Sequence, residues 1–250
     1  MLVTTIPTLL TYAGTSDGVV NFLASKNILK KESKESWKMF FSILSVALPT
    51  LVLLVMYEVK KWRYQSMKTQ RDLILAAQKE AVLSYMTTTY GLNSEFNNLN
   101  MRIWIEEKNP ITKIFKYGTK FNDKVFFVKS ISNISKEDNK NKLYFTVSPN
   151  FQGLVGICYN DKETTHISDV SGFYKKHNLN PYQKKLVSDT KFVMCVPILN
   201  EKNQVIVIFS FDSLTEIDIP SQHKKNIYTT IDYFCLNLSN NIPDLWKKKG

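Results

Sequence analysis

The sequence predicts an α+β fold: an antiparallel sheet flanked by helices, preceded by a transmembrane helix and a long juxtamembrane helix. Three observations carry this prediction. From Met101 onward, short runs rich in β-branched and aromatic residues alternate with helix-like segments. Well ahead of them, Met39–Tyr57 (MFFSILSVALPTLVLLVMY) holds no charged residue. Between the two, Glu58–Tyr90 lacks both Pro and Gly and consists largely of good helix formers.

These features divide the chain into an N-terminal interfacial segment (1–36), a transmembrane helix (37–57), a juxtamembrane helical linker (58–91) and a C-terminal domain (92–250). With 250 residues, 44% of them hydrophobic, the chain is long and apolar enough to bury a core. Lys+Arg number 33 against 22 Asp+Glu, a net charge of +11, which suits an anionic partner such as a lipid surface, a nucleotide or a nucleic acid. Arg63, Arg71 and Arg102 are the sole arginines, so the forked donor used to read bases and phosphates is scarce and no specific nucleic-acid partner is expected. Cys158, Cys195 and Cys235 are odd in number, widely spaced and set among apolar neighbours, which argues against a disulfide framework and a zinc site and for a reducing compartment.

At a rise of about 1.5 Å per residue, helical Met39–Tyr57 reaches roughly the 30 Å of bilayer hydrocarbon. Trp37 and Tyr57 stand where rings favour the headgroup level, and Lys38, Lys60 and Lys61 can snorkel outward. A cleaved signal peptide is disfavoured by the bulky charged residues that follow the run. Segment Leu2–Ala24 is interrupted by Pro7, Gly14, Asp17 and Gly18 and suits an interfacial piece better than a second span. Lys26, Lys30, Lys31, Lys34 and Lys38 before the span tie with Lys60, Lys61, Arg63, Lys68 and Arg71 after it, so flanking charge sets no orientation. The unpaired cysteines place the C-terminal domain in the cytoplasm, giving a single-pass membrane protein.

In the juxtamembrane helix, Met67, Gln70, Ile74, Ala77, Ala81 and Ser84 keep a spacing suited to a parallel homodimer seam; the alternative is a helix lying on its own domain. Gly91 and Asn93 end it. Strands are then expected at MRIWIEEK, KVFFVKSI and KLYFTV, with Ser132–Asn141 as an exposed loop, and later at THISDV, FVMCVPILN and QVIVIFSFD. The last two are separated by Glu201, Lys202 and Asn203, which reads as a hairpin. Helices are expected over Phe151–Tyr159, Pro181–Asp189 and Ser221–Leu238, the last repeating Ile227, Ile231, Phe234 and Leu238 on one face.

This order of elements, with FQGLVGICYND, THISDV, FVMCVPILNEKNQVIVIFSFDS and a closing helix, resembles a GAF domain, a relative of PAS domains that senses small ligands. The resemblance covers about Ser94–Asn241 and rests on Gly153 and Gly156, Ile167–Val170, Val196-Pro197-Ile198 and Phe211-Asp212-Ser213. It implies a six-stranded antiparallel sheet with a ligand pocket on one face and dimerising helices on the other. The signature associated with cyclic-nucleotide GAF domains is absent. Free methionine sulfoxide reductases are GAF enzymes with cooperating cysteines, whereas the cysteines here have apolar neighbours that suit buried, structural thiols.

No nucleophile, base and orienter constellation emerges, and His166, His177 and His223 are scattered, so neither catalytic residues, nor a metal site, nor a cofactor are expected. By the GAF resemblance, the segment GFYKKHNLNPYQKK caps the pocket. Lys175, Lys176, Lys184 and Lys185 would then hold a phosphate-bearing or carboxylate ligand and Tyr174 and Tyr182 would stack on a base; the plain alternative is a solvated basic loop. Asp169 is either a ligand acceptor or a turn cap. The expected function is a membrane-anchored, non-enzymatic sensor of a small anionic or nucleotide ligand that signals through the membrane helix or a partner. One version is a nucleotide-gated bacterial antiviral effector. A scaffolding protein whose GAF-like fold dimerises or recruits a partner without ligand is the alternative. Expected partners are a membrane, a small molecule and a second copy of the chain.

Overall fold

The computed structural model describes residues 17–26, 34–129, 139–170, 172–173 and 177–242. Most of Leu2–Ala24, most of the loop Ser132–Asn141, and the pocket candidates Tyr174, Lys175 and Lys176 lie outside the described residues. The chain forms two compact units, Met1–Lys68 and Thr69–Gly250.

The first unit contains helix α1 (Asp17–Ser25) and the start of helix α2 (Lys34–Tyr90). Helix α2 is continuous through the apolar run, where Leu51, Leu53, Leu54, Val55 and Met56 are all exposed. Among the described residues no helix is long and apolar enough to cross a membrane. The side chains at 41, 42, 45, 46 and 49 are outside the description, and the stretch that continues from Thr50 meets Glu58, Lys60 and Lys61 just past Tyr57. The transmembrane expectation therefore gains no support from the described residues.

The second unit is built on six antiparallel strands: β1 (Asn100–Glu106), β2 (Lys124–Lys129), β3 (Tyr144–Ser148), β4 (Thr165–Ile167), β5 (Phe192–Leu199) and β6 (Val205–Ser213). Their order is β3-β2-β1-β6-β5-β4, so the first and last strands pair at the centre. Interspersed are helices α3 (Pro110–Tyr117), α4 (Gly153–Asp161), α5 (Pro181–Val187) and α6 (Lys224–Asn241). A six-stranded antiparallel sheet with helices on both faces is the architecture that the GAF resemblance implies. The expected strand THISDV is shorter than its apolar pattern, ending at Ile167.

Strand alternation sorts the core into two layers. Met101, Ile103, Met194, Val207, Phe209 and Phe211 share one layer with Leu75, Leu83 and Met86 of α2 and with Ile227, Ile231 and Leu238 of α6. Trp104, Phe126, Phe145, Val193 and Ile208 face the other way and meet Leu154, Val155 and Cys158 of α4. The second half of the expected linker is thus part of the domain core. Its other side, Met67, Gln70, Ile74, Ala77, Ala81 and Ser84, is exposed throughout. Gly91 closes α2 in the left-handed conformation, at φ 63. The expected β5–β6 hairpin closes through Asn200, whose N–H donates to the Gln204 carbonyl at 2.9 Å, with Asn203 left-handed at φ 56. Gly156 of α4 is needed for close approach, because a Cβ there would stand 3.0 Å from the Phe151 Cα.

Candidate functional site

Two residues on each central strand point toward the α4 layer and are not simply apolar: Arg102 and Trp104 on β1, Ser210 and Asp212 on β6. Register brings them together, with Arg102 opposite Ser210 and Asn100 opposite Asp212. The Arg102 guanidinium, 2% exposed, donates through Nε to Asp212 Oδ1 at 2.9 Å. Lys140, in the short turn Asn139–Lys142, donates through Nζ to Thr190 Oγ1 at 2.7 Å and lies 3.5 Å from Asp212 Oδ2. Trp104 Nε1 donates to Ser210 Oγ at 2.7 Å. Two cations therefore converge on one carboxylate in a largely desolvated place. Such an arrangement persists only where hydrogen bonds satisfy the charges, and among the described residues no buried side-chain polar atom lacks a partner.

These groups border a cavity of about 30 Å³ between the sheet, α4 and the C-terminal end of α5, with Leu154, Val155 and Val187 as its apolar wall. One water needs roughly 10–15 Å³ of such space, so the cavity holds two waters or an anion of a few atoms. A nucleotide needs several hundred cubic ångströms and does not fit. The lining chemistry is a guanidinium, an ammonium and two hydroxyls, a donor set for a small oxyanion, and it includes the Asp212 carboxylate.

Helix α5, which covers one side, is firmly tied down. Asn180 and Gln183 form a reciprocal capping box at its start. Buried Gln183 also donates through Nε2 to the Tyr144 carbonyl at 2.6 Å and to Gln152 Oε1 at 3.2 Å, fixing the helix to β3. The sequence-derived candidates stand elsewhere. Tyr182, Lys184 and Lys185 are exposed on α5 and do not border the cavity. Asp169 is exposed and accepts from the Gly172 N–H at 3.5 Å, which is the turn-capping role. Sequence reasoning missed Arg102, Lys140, Thr190, Ser210 and Asp212. A signal was present for the strand residues: period-2 parity puts Arg102 beside Trp104 and Ser210 beside Asp212 on one face.

All three cysteines are free thiols and buried. Cys158 and Cys195 are buried in the layer under α4, and Cys235 is buried in the opposite layer. Burial pushes all three thiols up, which disfavours the reactive thiolate. Among the described residues, no group of His, Cys, Asp or Glu is placed to hold a metal ion.

Two open depressions lie elsewhere on the described surface. One, of about 700 Å³, is bordered by Lys124, Tyr159, Lys162 and Gln204, and Lys124 Nζ donates to the Tyr159 hydroxyl at 2.9 Å. The other, of about 660 Å³, lies between α6 and the end of β5. Beside it His166 Nδ1 meets the Tyr228 hydroxyl at 2.5 Å, and Thr164 hydrogen-bonds Asp232. Burial holds His166 below its ordinary value near 6.5, the Lys224 ammonium acts in the same sense, and Asp218 opposes them. The unfolded chain therefore binds this proton more readily than the folded one, and stability present above pH 6.5 is lost as the pH falls below it. Urea unfolding at a series of pH values is expected to show this loss, and His166→Gln is expected to remove that part of the slope.

No family model and no curated protein matches the sequence. Among solved structures, the chain is similar to the GAF domain/HD domain protein from Geobacter sulfurreducens, at 12% identity over 67% of this chain and 97% of that one, with a TM-score of 0.38. It is similar to type II free methionine-R-sulfoxide reductase from Thermoplasma acidophilum at 10% identity, over 68% and 96% of the two chains, with a TM-score of 0.38. It is also similar to the NreA protein of Staphylococcus aureus mutated in its nitrate binding site, at 16% identity over 62% and 94%, with a TM-score of 0.37. Likenesses of this degree carry nothing about what the present chain binds or does.

Proposed function

We propose that residues 69–250 form a GAF-like sensor module for a small oxyanion, that Met39–Tyr57 anchors the chain in a membrane as a single span, and that α2 carries the bound state between them. The observation that supports the ligand class is the buried cluster of Arg102, Lys140, Thr190 and Asp212 on a cavity of about 30 Å³. A guanidinium and an ammonium beside the cavity are donors suited to a small oxyanion, and a trigonal oxyanion matches the planar fork of arginine. Lys184 and Lys185, exposed on the helix whose Val187 walls the cavity, would raise the local anion concentration. The membrane part of the reading rests on the uncharged run in the sequence. In this reading the domain lies in the cytoplasm, and the row from Met67 to Ser84, which is exposed, would be the seam for a second copy. Nucleotide gating in antiviral defence would require the larger groove at Lys124 and Tyr159 instead.

Thermal unfolding of the full-length chain in sodium nitrate or sodium formate, against sodium sulfate at equal ionic strength, tests the ligand class. A saturable rise in Tm with the monovalent anions, lost in Lys140→Met, is expected; the same salt dependence in the parent and in Lys140→Met would overturn it. One observation favours a second reading, the ligand-free scaffold: Asp212 already neutralises Arg102. Under that reading the salts differ only through their general effects on protein surfaces, and Lys140→Met changes stability without changing any salt dependence.

A further inference from the structure

Helix α3 is inside out. Asn109 caps its N-terminus by accepting from the Ile111 N–H at 3.0 Å, Pro110 starts it, and Gly118, left-handed at φ 63, ends it. Within these limits Ile111, Ile114 and Phe115 fall at i, i+3 and i+4, the spacing of an apolar stripe that normally faces a core. Here the stripe faces solvent. Phe115 is 85% exposed and Ile111 65%, and Phe121, just past the helix, is 63% exposed. The buried positions are instead Lys113 and Tyr117, the latter packed on the rings of Phe127 and Tyr144 with centroids 6.4 and 4.6 Å away. Four large apolar side chains on one short protrusion are not the scatter of single exposed residues usual on a monomer.

We propose that α3 and Phe121 form an interfacial foot that inserts into an anionic lipid surface. Charge selects this occupant. Lys108, Lys116 and Lys120 are exposed around the apolar residues, where ammonium groups would meet lipid phosphates as the rings and branched chains enter the acyl boundary. The nearby carboxylates are turned to local work: Glu107 accepts from the Asn109 N–H at 2.9 Å, and Asp123 accepts from the Lys120 N–H at 2.8 Å. The whole chain carries +11, so long-range attraction to such a surface acts in the same direction. The foot belongs to the sensor unit and does not depend on the span at 39–57.

The native cysteines are buried, so Phe115→Cys in the full-length chain can be labelled selectively with an environment-sensitive fluorophore. On vesicles of phosphatidylcholine containing phosphatidylserine, the label is expected to shift to the blue and brighten several-fold. The change should disappear at high salt and in the Lys108→Glu, Lys116→Glu, Lys120→Glu background. Unchanged emission while the protein floats with the vesicles would overturn the foot and leave the anchor standing. An equal response on phosphatidylcholine alone would overturn the role of charge and with it the proposal. A blue shift without lipid that grows with protein concentration would assign the patch to a second copy of the chain, and would overturn it too.

Discussion

Replacing Asp212 with Asn is expected to destabilise the unit Thr69–Gly250 by about 3–5 kcal/mol, the range found when one partner of a buried ion pair is removed. The substitution keeps shape and volume but leaves the Arg102 guanidinium, 2% exposed, beside a neutral amide. Lys140, which stands 3.5 Å from the same carboxylate, loses its attraction as well. Urea unfolding followed by circular dichroism measures the loss. Two further measurements separate structure from ligand binding. Changing Arg102 to Met in the Asp212→Asn background should recover much of the stability, because apolar replacement of a complete buried pair is often neutral. Nitrate should also rescue Asp212→Asn more than it stabilises the parent, since the removed carboxylate is the charge with which an anion competes. A rescue by Met without a rescue by nitrate would mark the cluster as purely structural.

Leu83→Ala is expected to cost about 2–5 kcal/mol, whereas Ile74→Ala, nine positions earlier on the same helix, should change stability by less than about 0.5 kcal/mol. Leu83 is fully buried against the sheet layer of Phe209 and Phe211, and Ile74 is exposed. Side by side, the two variants test whether the second half of α2 belongs to the folded domain. If both were silent, the helix would be a linker, as its composition suggests. If Ile74→Ala lowered stability in a concentration-dependent manner, the exposed row would be an interface between copies.

Much of this architecture is legible residue by residue, because the signals are local. The alternation in Met101–Glu106 and Val205–Asp212 reports strands with two buried faces, Gly91 reports the end of α2, and Asn200 to Asn203 report the β5–β6 hairpin. Helix α3 escaped, although Asn109-Pro110 and Gly118 mark both of its ends, because its apolar stripe lies within eight residues between two strands. The ligand candidates in the basic segment 172–185 rest on charge density, and Tyr174, Lys175 and Lys176 lie outside the described residues. Exposed lysines are easy to see in a sequence, and a solvated face is where α5 holds Lys184 and Lys185.

By itself, the sequence determined the class of the fold, the end of α2 at Gly91, the β5–β6 hairpin and the uncharged stretch at Met39–Tyr57, since each depends on neighbours within a few positions along the chain. Only the tertiary structure decided that Arg102 meets Asp212 across 110 positions, that Lys140 swings onto the same carboxylate, and that the space among them admits an ion but not a nucleotide. It alone decided which stripe of α2 is core and that α3 turns its apolar stripe outward. The reason is physical. Hydrogen bonding and side-chain periodicity are written into short segments, whereas a buried charge cluster and its cavity exist only once distant strands and helices have packed and excluded water.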